Sequence, residues 1–161
     1  MRDIKSIVRS LVGKFNARDP FELCDYNKIE VLFKNLGTIR DMFHCCYHKK
    51  MIYLNKSLHS LIKRQVCTHE LGHALLHRDI NTIFWAKHTY FVTNKVEIEA
   101  NVFAAELLIP DDDIRQYFGT GYCIGHIAKE IGVSESLVEY KIKESTANYL
   151  VYCEKLKSSQ L

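Results

Sequence analysis

Apolar residues recur at helical spacing near the start of the chain and alternate with polar residues further on. A first apolar stripe, at helical spacing, consists of Ile4, Ile7, Val8 and Leu11. A second helix is predicted at Asp19-Pro20-Phe21-Glu22, with Asp19 as N-cap and Pro20 at the first helical position. Glu22 then takes the third position of a capping box. Short strands are predicted over 29–33, 38–47 and 51–54.

The second half of the chain is predicted to be mostly helical. A long helix covers about 57–77, and the aromatic stretch 82–92 is typical of an extended segment. Another helix covers about 96–109 and ends before Pro110, because a residue that precedes proline avoids the helical region. Pro110 should open a further helix with three aspartates in its first turn, and Gly119 and Gly121 should end it. The last helices are predicted at about 124–131, 135–144 and 145–157.

Composition indicates an ordinary soluble globular protein. The chain has 161 residues, of which 47% are hydrophobic and 25% charged, and it fits one domain over 1–161. We divide it into N-terminal helices and sheet (1–56), site helices (57–118) and a C-terminal helical segment (119–161). The start of the chain has no apolar core typical of a signal peptide, and no stretch is long and apolar enough to span a membrane. We therefore expect a cytoplasmic protein without a membrane partner.

Cysteine spacing and charge distribution narrow the functional classes. The six cysteines form no C-x-x-C pair, so we expect reduced thiols rather than a structural zinc ribbon. Residues 1–66 carry 13 Lys and Arg against 6 Asp and Glu, whereas residues 67–161 carry 9 against 13. The basic residues of the first part are spread along the chain, which favours a solvated surface over a nucleic-acid site.

The strongest chemical signal is the sequence His69-Glu70-Leu71-Gly72-His73, an H-E-x-x-H motif. Residues four apart lie on one face of a helix, so His69 and His73 can direct two imidazoles at one metal ion. Glu70 projects about 100° away and can place its carboxylate beside a water at the metal. Gly72 costs about 1 kcal/mol inside a helix relative to alanine, which indicates that a neighbour approaches closely there.

A third ligand is needed, because catalytic zinc sites usually have three protein ligands. The chain offers Glu97 and Glu99, which point to nearly opposite faces of the predicted helix. We favour Glu97, since Asn101 lies four residues later on the same face and can hold a ligating histidine. Glu99 then becomes a surface or helix-supporting carboxylate. His77 lies about 12 Å along the helix from His69, too far to share its metal.

Two segments resemble the ImmA/IrrE family of zinc-dependent proteins. They are the motif helix, H-E-L-G-H-A-L-L-H from His69 to His77, and E-I-E-A-N-V-F-A-A-E-L-L-I-P from Glu97 to Pro110. The resemblance extends over roughly 20–145. It implies an α+β, gluzincin-like metallopeptidase domain with a small mixed sheet, a motif helix, a ligand helix and a C-terminal helix-turn-helix-like segment.

The resemblance also implies a function and a site. Family members of phages and mobile elements are anti-repressor proteases that cleave or inactivate a helix-turn-helix repressor, and the short chain looks most like that branch. The implied metal ligands are His69, His73 and Glu97 around Zn²⁺, with Glu70 as catalytic base. Imidazole and carboxylate ligands also suit manganese or iron. The oxyanion-stabilising donor stays open among Tyr47, Tyr53, His88, Tyr90, Tyr122 and His126.

Part of the sequence also fits other functional classes. Ala128, Gly132 and Val138 fit a helix-turn-helix pattern. However, the second helix of that pattern has three glutamates against two lysines, whereas a helix that faces phosphates should be basic. We therefore do not expect direct DNA binding. A zinc-containing regulator that only binds its repressor, and a toxin–antitoxin component, are the remaining alternatives, and Glu70 favours the enzyme because a pure binder needs no base there.

Overall fold

The fold is α+β, as predicted, and it is described here from a computed structural model. The structure describes residues 3–38, 41–46, 49–77, 90–117 and 122–144, without the side chains of 41–46 and 90–93. Two helices are followed by three strands and then by five helices among these residues. In chain order they are α1 (Ile4–Phe15), α2 (Pro20–Tyr26), β1 (Ile29–Lys34), β2 (Asp41–Cys46), β3 (Lys49–Asn55), α3 (Ser60–Leu76), α4 (Tyr90–Leu108), α5 (Asp111–Arg115), α6 (Ile124–Ile131) and α7 (135–144).

The three strands form a small mixed sheet in the order β1-β3-β2. β1 runs parallel to the central strand β3, and β2 runs antiparallel to it. Ile29, Ile52 and Leu54 are completely or almost completely buried in the core. α2 packs on β1 and α3 packs on β3, so the sheet supports the helix that carries the H-E-x-x-H motif.

Helix α2 begins as its sequence predicts. The carboxylate of Asp19 accepts the backbone N–H groups of Phe21 and Glu22, and Pro20 takes the first helical position. Asp3 caps α1 in the same way by accepting the N–H of Ser6. Both caps satisfy backbone donors that a helix start leaves without partners, which is why these boundaries follow from local sequence.

Three predicted boundaries are wrong in detail. Helix α3 begins at residue 60 rather than at 57, because Asn55 accepts bonds from the backbone and hydroxyl of Ser57 and holds a turn there. Residues 90–92 belong to α4 rather than to an extended segment, since strand propensity is weak against a continuing helix. Pro110 is the cap residue that precedes α5 rather than its first residue. Residues 82–89, Gly119, Gly121 and the helix predicted at 145–157 lie outside the described residues.

The two site helices pack closely around Gly72. A Cβ atom built on Gly72 would lie 3.2 Å from Cδ1 of Phe103 and 3.3 Å from Cα of Ala100. Both distances are shorter than ordinary van der Waals contact, so only glycine lets α3 approach the backbone of α4 this closely. Phe103 is fully buried at this contact. The close approach predicted for Gly72 is therefore present, and it brings together the helix faces that carry the predicted ligands.

Helices α6 and α7 form the predicted helix-turn-helix-like pair. Gly132 ends α6 with a left-handed φ of 78°, and Ser134 donates its backbone N–H to the side chain of Gln65 on α3. Ala128 and Val138 are buried against the second half of α4 and against α5. In the part of the chain that the structure describes, no helix is long and apolar enough to cross a membrane.

Cys24 and Cys67 are buried thiols whose sulfur atoms lie 3.8 Å apart. Their mutual hydrogen bond, together with burial, raises the pKa of the Cys67 thiol. A thiol that is buried and keeps its proton is a poor nucleophile, so this pair serves the core rather than chemistry.

Candidate metal centre

Helix α3 turns the H-E-x-x-H motif into a compact group of donor atoms. Nε2 of His69 lies 3.0 Å from Nε2 of His73, and the two rings meet edge to face. Glu70 is buried, and its carboxylate lies within 4.8 Å of a ring nitrogen of each histidine. The helix therefore presents two imidazoles and one carboxylate to the same small volume.

Helix α4 adds the carboxylate of Glu97 to this group. Its Oε2 lies 3.2 Å from Nε2 of His69 and its Oε1 lies 3.4 Å from Nε2 of His73. The hydrogen bonds from His69 and then from His73 hold the pKa of Glu97 well below its usual range. The carboxylate is therefore ionised at neutral pH, which is the form that binds a metal ion.

Asn101 orients one of the two histidines. Its Oδ1 lies 3.0 Å from Nδ1 of His69, on the side of the ring away from Glu97. When that Nδ1 carries the proton and donates it to the amide oxygen, Nε2 has a free lone pair for a metal. Asn101 and Glu97 stand four residues apart on α4, so one helix face supplies both the carboxylate and the group that fixes the ring.

The geometry of these side chains fits a divalent metal ion. Ligands that surround zinc tetrahedrally at 2.0–2.1 Å are separated from one another by about 3.3 Å. The two Nε2 atoms of His69 and His73 are 3.0 Å apart, and each lies 3.2–3.4 Å from one oxygen of the Glu97 carboxylate, Oε2 for His69 and Oε1 for His73, so these contacts are close to that value. Two nitrogens and one carboxylate oxygen leave a fourth position for water or substrate, as in catalytic sites.

Glu99 has a different partner, and of the two predicted positions, at the surface or in support of the helix, the surface one is wrong. Its side chain is 4% exposed, and its Oε2 lies 3.6 Å from Nε2 of His77, which is also buried. The ring of His77 lies next to that of His73, with 5.9 Å between the ring centroids. The pair of His77 and Glu99 thus stands beside the motif and joins α3 to α4. Sequence spacing alone does not reveal this pair, because both residues look like ordinary polar positions on two helices.

The candidates for an oxyanion donor are not brought together by the described residues. The hydroxyl of Tyr53 lies 3.5 Å from the sulfur of Met51 within β3, and Tyr122 packs against His126 at the start of α6. Tyr47, His88 and the side chain of Tyr90 lie outside the described residues.

The outer face of α7 is more acidic than its sequence suggests. Glu135 and Glu139 are exposed, whereas Lys141 is 1% exposed and points inward. Its Nζ lies 2.7 Å from a carboxylate oxygen of Glu106 and 2.7 Å from one of Asp111. One of the two lysines of this helix is thus unable to face a partner.

Comparison with known proteins gives a consistent picture. The family model of the IrrE N-terminal-like domain, Peptidase_M78, matches residues 24–143. The uncharacterized immunity region protein 2 of Bacillus phage phi105 is 37% identical over 147 residues, which cover 91% of this chain and 93% of that protein. The metallopeptidase ImmA of Bacillus subtilis (strain 168) is 27% identical over 150 residues, which cover 89% of this chain and 86% of ImmA.

A solved structure, that of a Mycobacterium tuberculosis transcriptional regulator, shares the fold over 88% of this chain, with a TM-score of 0.63 and 16% sequence identity. The chain spans about half of that regulator, 47% of its length. The family model, by contrast, covers most of this chain, including α3 and α4. The resemblance drawn from the sequence is confirmed: the chain belongs to the ImmA/IrrE family of metallopeptidases, the IrrE N-terminal-like or Peptidase_M78 domains.

Proposed function

We propose that this protein is a cytoplasmic zinc-dependent endopeptidase that cleaves, and so inactivates, a helix-turn-helix repressor of a phage or mobile element. The observation that carries the proposal is the convergence of His69, His73 and Glu97 beside the buried carboxylate of Glu70: the two Nε2 atoms lie 3.0 Å apart, and each lies 3.2–3.4 Å from one oxygen of the Glu97 carboxylate. The repressor as substrate is supported by the relatives, one named an immunity region protein and one a metallopeptidase.

We assign His69, His73 and Glu97 as the metal ligands. Their donor set of two imidazole nitrogens and one carboxylate oxygen is the one found in a major class of zinc peptidases. Asn101 supports the set by fixing the ring of His69. Zinc suits these ligands and the near-tetrahedral spacing better than the six oxygen ligands that magnesium or calcium prefers.

In this mechanism, Glu70 performs the proton transfers. Zinc, when bound, supplies a Lewis acid that activates water and polarises the carbonyl of the scissile bond. Glu70 accepts the proton of the attacking water and passes it to the leaving nitrogen. Burial of its carboxylate next to the ligands suits this role, because a general base must lie within hydrogen-bond reach of the water that it deprotonates.

The repressor, rather than DNA, is the proposed macromolecular partner. A helix that enters a groove of DNA should present cations to the phosphates, but α7 exposes Glu135 and Glu139 and buries Lys141. The same acidic face suits a basic protein surface, such as the DNA-binding face of a repressor.

The test is co-expression with a candidate helix-turn-helix repressor taken from the neighbouring genes. Intact-mass spectra of the repressor are compared for the wild type, for Glu70→Gln and for Glu130→Gln, a matched change at an exposed position of α6. We expect the same repressor fragments with the wild type and with Glu130→Gln, and intact repressor with Glu70→Gln. An intact repressor that co-purifies with all three forms would instead indicate inactivation by binding and would overturn the proposal.

A further inference from the structure

A second cavity, of about 290 Å³, lies among α1, the end of α4, α5 and α7. It is separate from the metal centre, because Glu106 stands nine residues after Glu97, or about 13 Å along α4. Five cationic side chains line it: Lys5, Arg9, Arg18, Arg115 and Lys141. Three carboxylates, those of Glu106, Asp111 and Asp112, also contribute to the lining and leave a net charge of +2.

The two inner carboxylates are already engaged with cations. Asp111 lies 2.9 Å from Lys5, 3.0 Å from Arg9 and 2.7 Å from Lys141, and Glu106 lies 2.7 Å from Lys141. Asp112, 94% exposed, reaches only toward Arg115 at the rim, at 3.6 Å. The excess positive charge is therefore located on arginines, whose flat guanidinium groups bind oxyanions through paired hydrogen bonds.

Arg18 has donors to spare for such a ligand. Its Nη1 donates to the backbone oxygen of Leu107 at 3.1 Å, near the end of α4. A guanidinium group carries five N–H donors, and this bond uses one of them. The bond to the backbone fixes the position of the arginine at the cavity while leaving most of its donors available.

One acceptor in the lining selects among anions. Oε1 of Glu106 is buried and has no hydrogen-bond partner among the described residues, while Oε2 of the same carboxylate accepts a hydrogen bond from Lys141. A buried acceptor without a donor is costly, and a ligand that brings an O–H group would satisfy it. Phosphate keeps a P–OH proton at neutral pH, whereas sulfate has none. An anion of charge about −2 that still carries a donor matches both the net charge and this acceptor.

We propose that this cavity binds inorganic phosphate, with Arg18, Arg9 and Arg115 contacting its oxygens and Glu106 accepting its P–OH proton. The volume, at the lower end for ligand sites, suits a small anion rather than a nucleotide. Because the site is formed by α1, α4, α5 and α7 and not by the metal ligands, the proposal stands independently of peptidase activity.

The test is calorimetric titration of the full chain with phosphate and with sulfate at constant ionic strength in chloride. We expect one saturable phosphate site and a sulfate affinity lower by about tenfold or more, since sulfate leaves the Glu106 oxygen without a donor. Arg18→Gln should weaken phosphate binding by about tenfold or more. Lys129→Gln, which removes a charge from an exposed position of α6, should leave it unchanged.

A melting curve recorded for each variant checks that it is folded. Arg115→Gln, at an exposed position, provides a second variant should Arg18→Gln fail to fold, and it should also weaken binding. The proposal is overturned by the absence of saturable phosphate binding, by equal affinities for phosphate and sulfate, or by folded arginine variants that bind phosphate like the wild type.

Discussion

Glu97 and Glu99 stand two residues apart on α4, and their carboxylates have different surroundings. Glu97 meets both motif histidines and is 43% exposed, whereas Glu99 is buried against His77. The difference follows from the helical repeat, which turns the two side chains about 200° apart. The partly exposed Glu97 therefore suits the proposed role of metal ligand, which has to leave room for substrate, better than the buried Glu99 does.

Substitution of each glutamate in turn distinguishes a metal ligand from a carboxylate that only joins the two helices. Glu97→Gln should lose most of its bound zinc, because it removes a charged ligand, while Glu99→Gln should retain close to one zinc per chain. The measurement is metal content by elemental analysis after gel filtration. Melting curves by circular dichroism, recorded for both variants, distinguish loss of a ligand from loss of the fold. Full metal content in Glu97→Gln together with loss in Glu99→Gln would reverse the assignment.

We expect Asn101 to affect metal binding through its contact with His69. Asn101→Ala removes the acceptor at 3.0 Å from Nδ1, so the ring loses its fixed orientation and the zinc affinity should fall by about 10–100-fold. Asn101→Asp keeps an acceptor oxygen at the same place and should bind zinc far better than the alanine variant. Competition with a fluorescent chelator measures the affinities. Equal zinc affinity in wild type and Asn101→Ala would contradict the role.

At the scale of the helices and strands, boundaries with local causes could be predicted from the sequence. The caps of α1 and α2 depend on side chains within three residues, and the strands depend on alternating apolar positions. The start of α4 could not be predicted, because aromatic and β-branched residues favour strands until tertiary structure decides. Burial of Lys141 and Glu99 was also missed, since it depends on which faces of distant helices meet.

Gly72 sets the distance between the two site helices. In Gly72→Ala the added methyl group meets Phe103 and the backbone of Ala100, and overpacking of this kind costs about 1–3 kcal/mol. The higher helix propensity of alanine offsets about 1 kcal/mol of this cost. We expect a net destabilisation of up to about 2 kcal/mol in urea unfolding.

Gly13 is the matched control for this change. It also lies inside a helix, α1, but nothing lies within 4 Å of a Cβ built there. Gly13→Ala should therefore stabilise the protein by about 0.5–1 kcal/mol. If Gly72→Ala stabilised the protein as much as Gly13→Ala, the close packing of α3 on α4 would be wrong.

At the scale of the whole molecule, Asp111 links the N-terminal helix to the C-terminal pair. It binds Lys5 and Arg9 of α1 and Lys141 of α7, which are distant in sequence. Burial alone would raise the pKa of Asp111, but the hydrogen bonds from Lys141 and Lys5 outweigh it and hold the pKa well below its usual range. An unfolded aspartate has a pKa of about 3.9.

This link should make stability depend on pH in a defined direction. Because the pKa of Asp111 is lower in the folded than in the unfolded protein, its ionised form contributes to the free energy of unfolding. This contribution is fully present above about pH 5 and is lost as the pH falls toward the folded pKa. The gap in unfolding free energy between wild type and Asp111→Asn should therefore be largest near pH 7 and should narrow between pH 5 and pH 3. The side chain of Asp112 is 94% exposed, so Asp112→Asn should have almost the same unfolding free energy as the wild type at each of these pH values. A gap for Asp111→Asn that widens on acidification would contradict the link.

Purified protein and purified repressor together test whether cleavage needs both zinc and Glu70. Metal is removed with a chelator, one equivalent of zinc is restored, and cleavage is followed by intact mass for the wild type and for Glu70→Gln loaded with the same zinc. We expect no cleavage by the metal-free protein, and a rate for zinc-loaded Glu70→Gln that is lower than that of zinc-loaded wild type by about 10²–10⁴-fold. Cleavage that persists in the metal-free protein, or undiminished in Glu70→Gln, would contradict it.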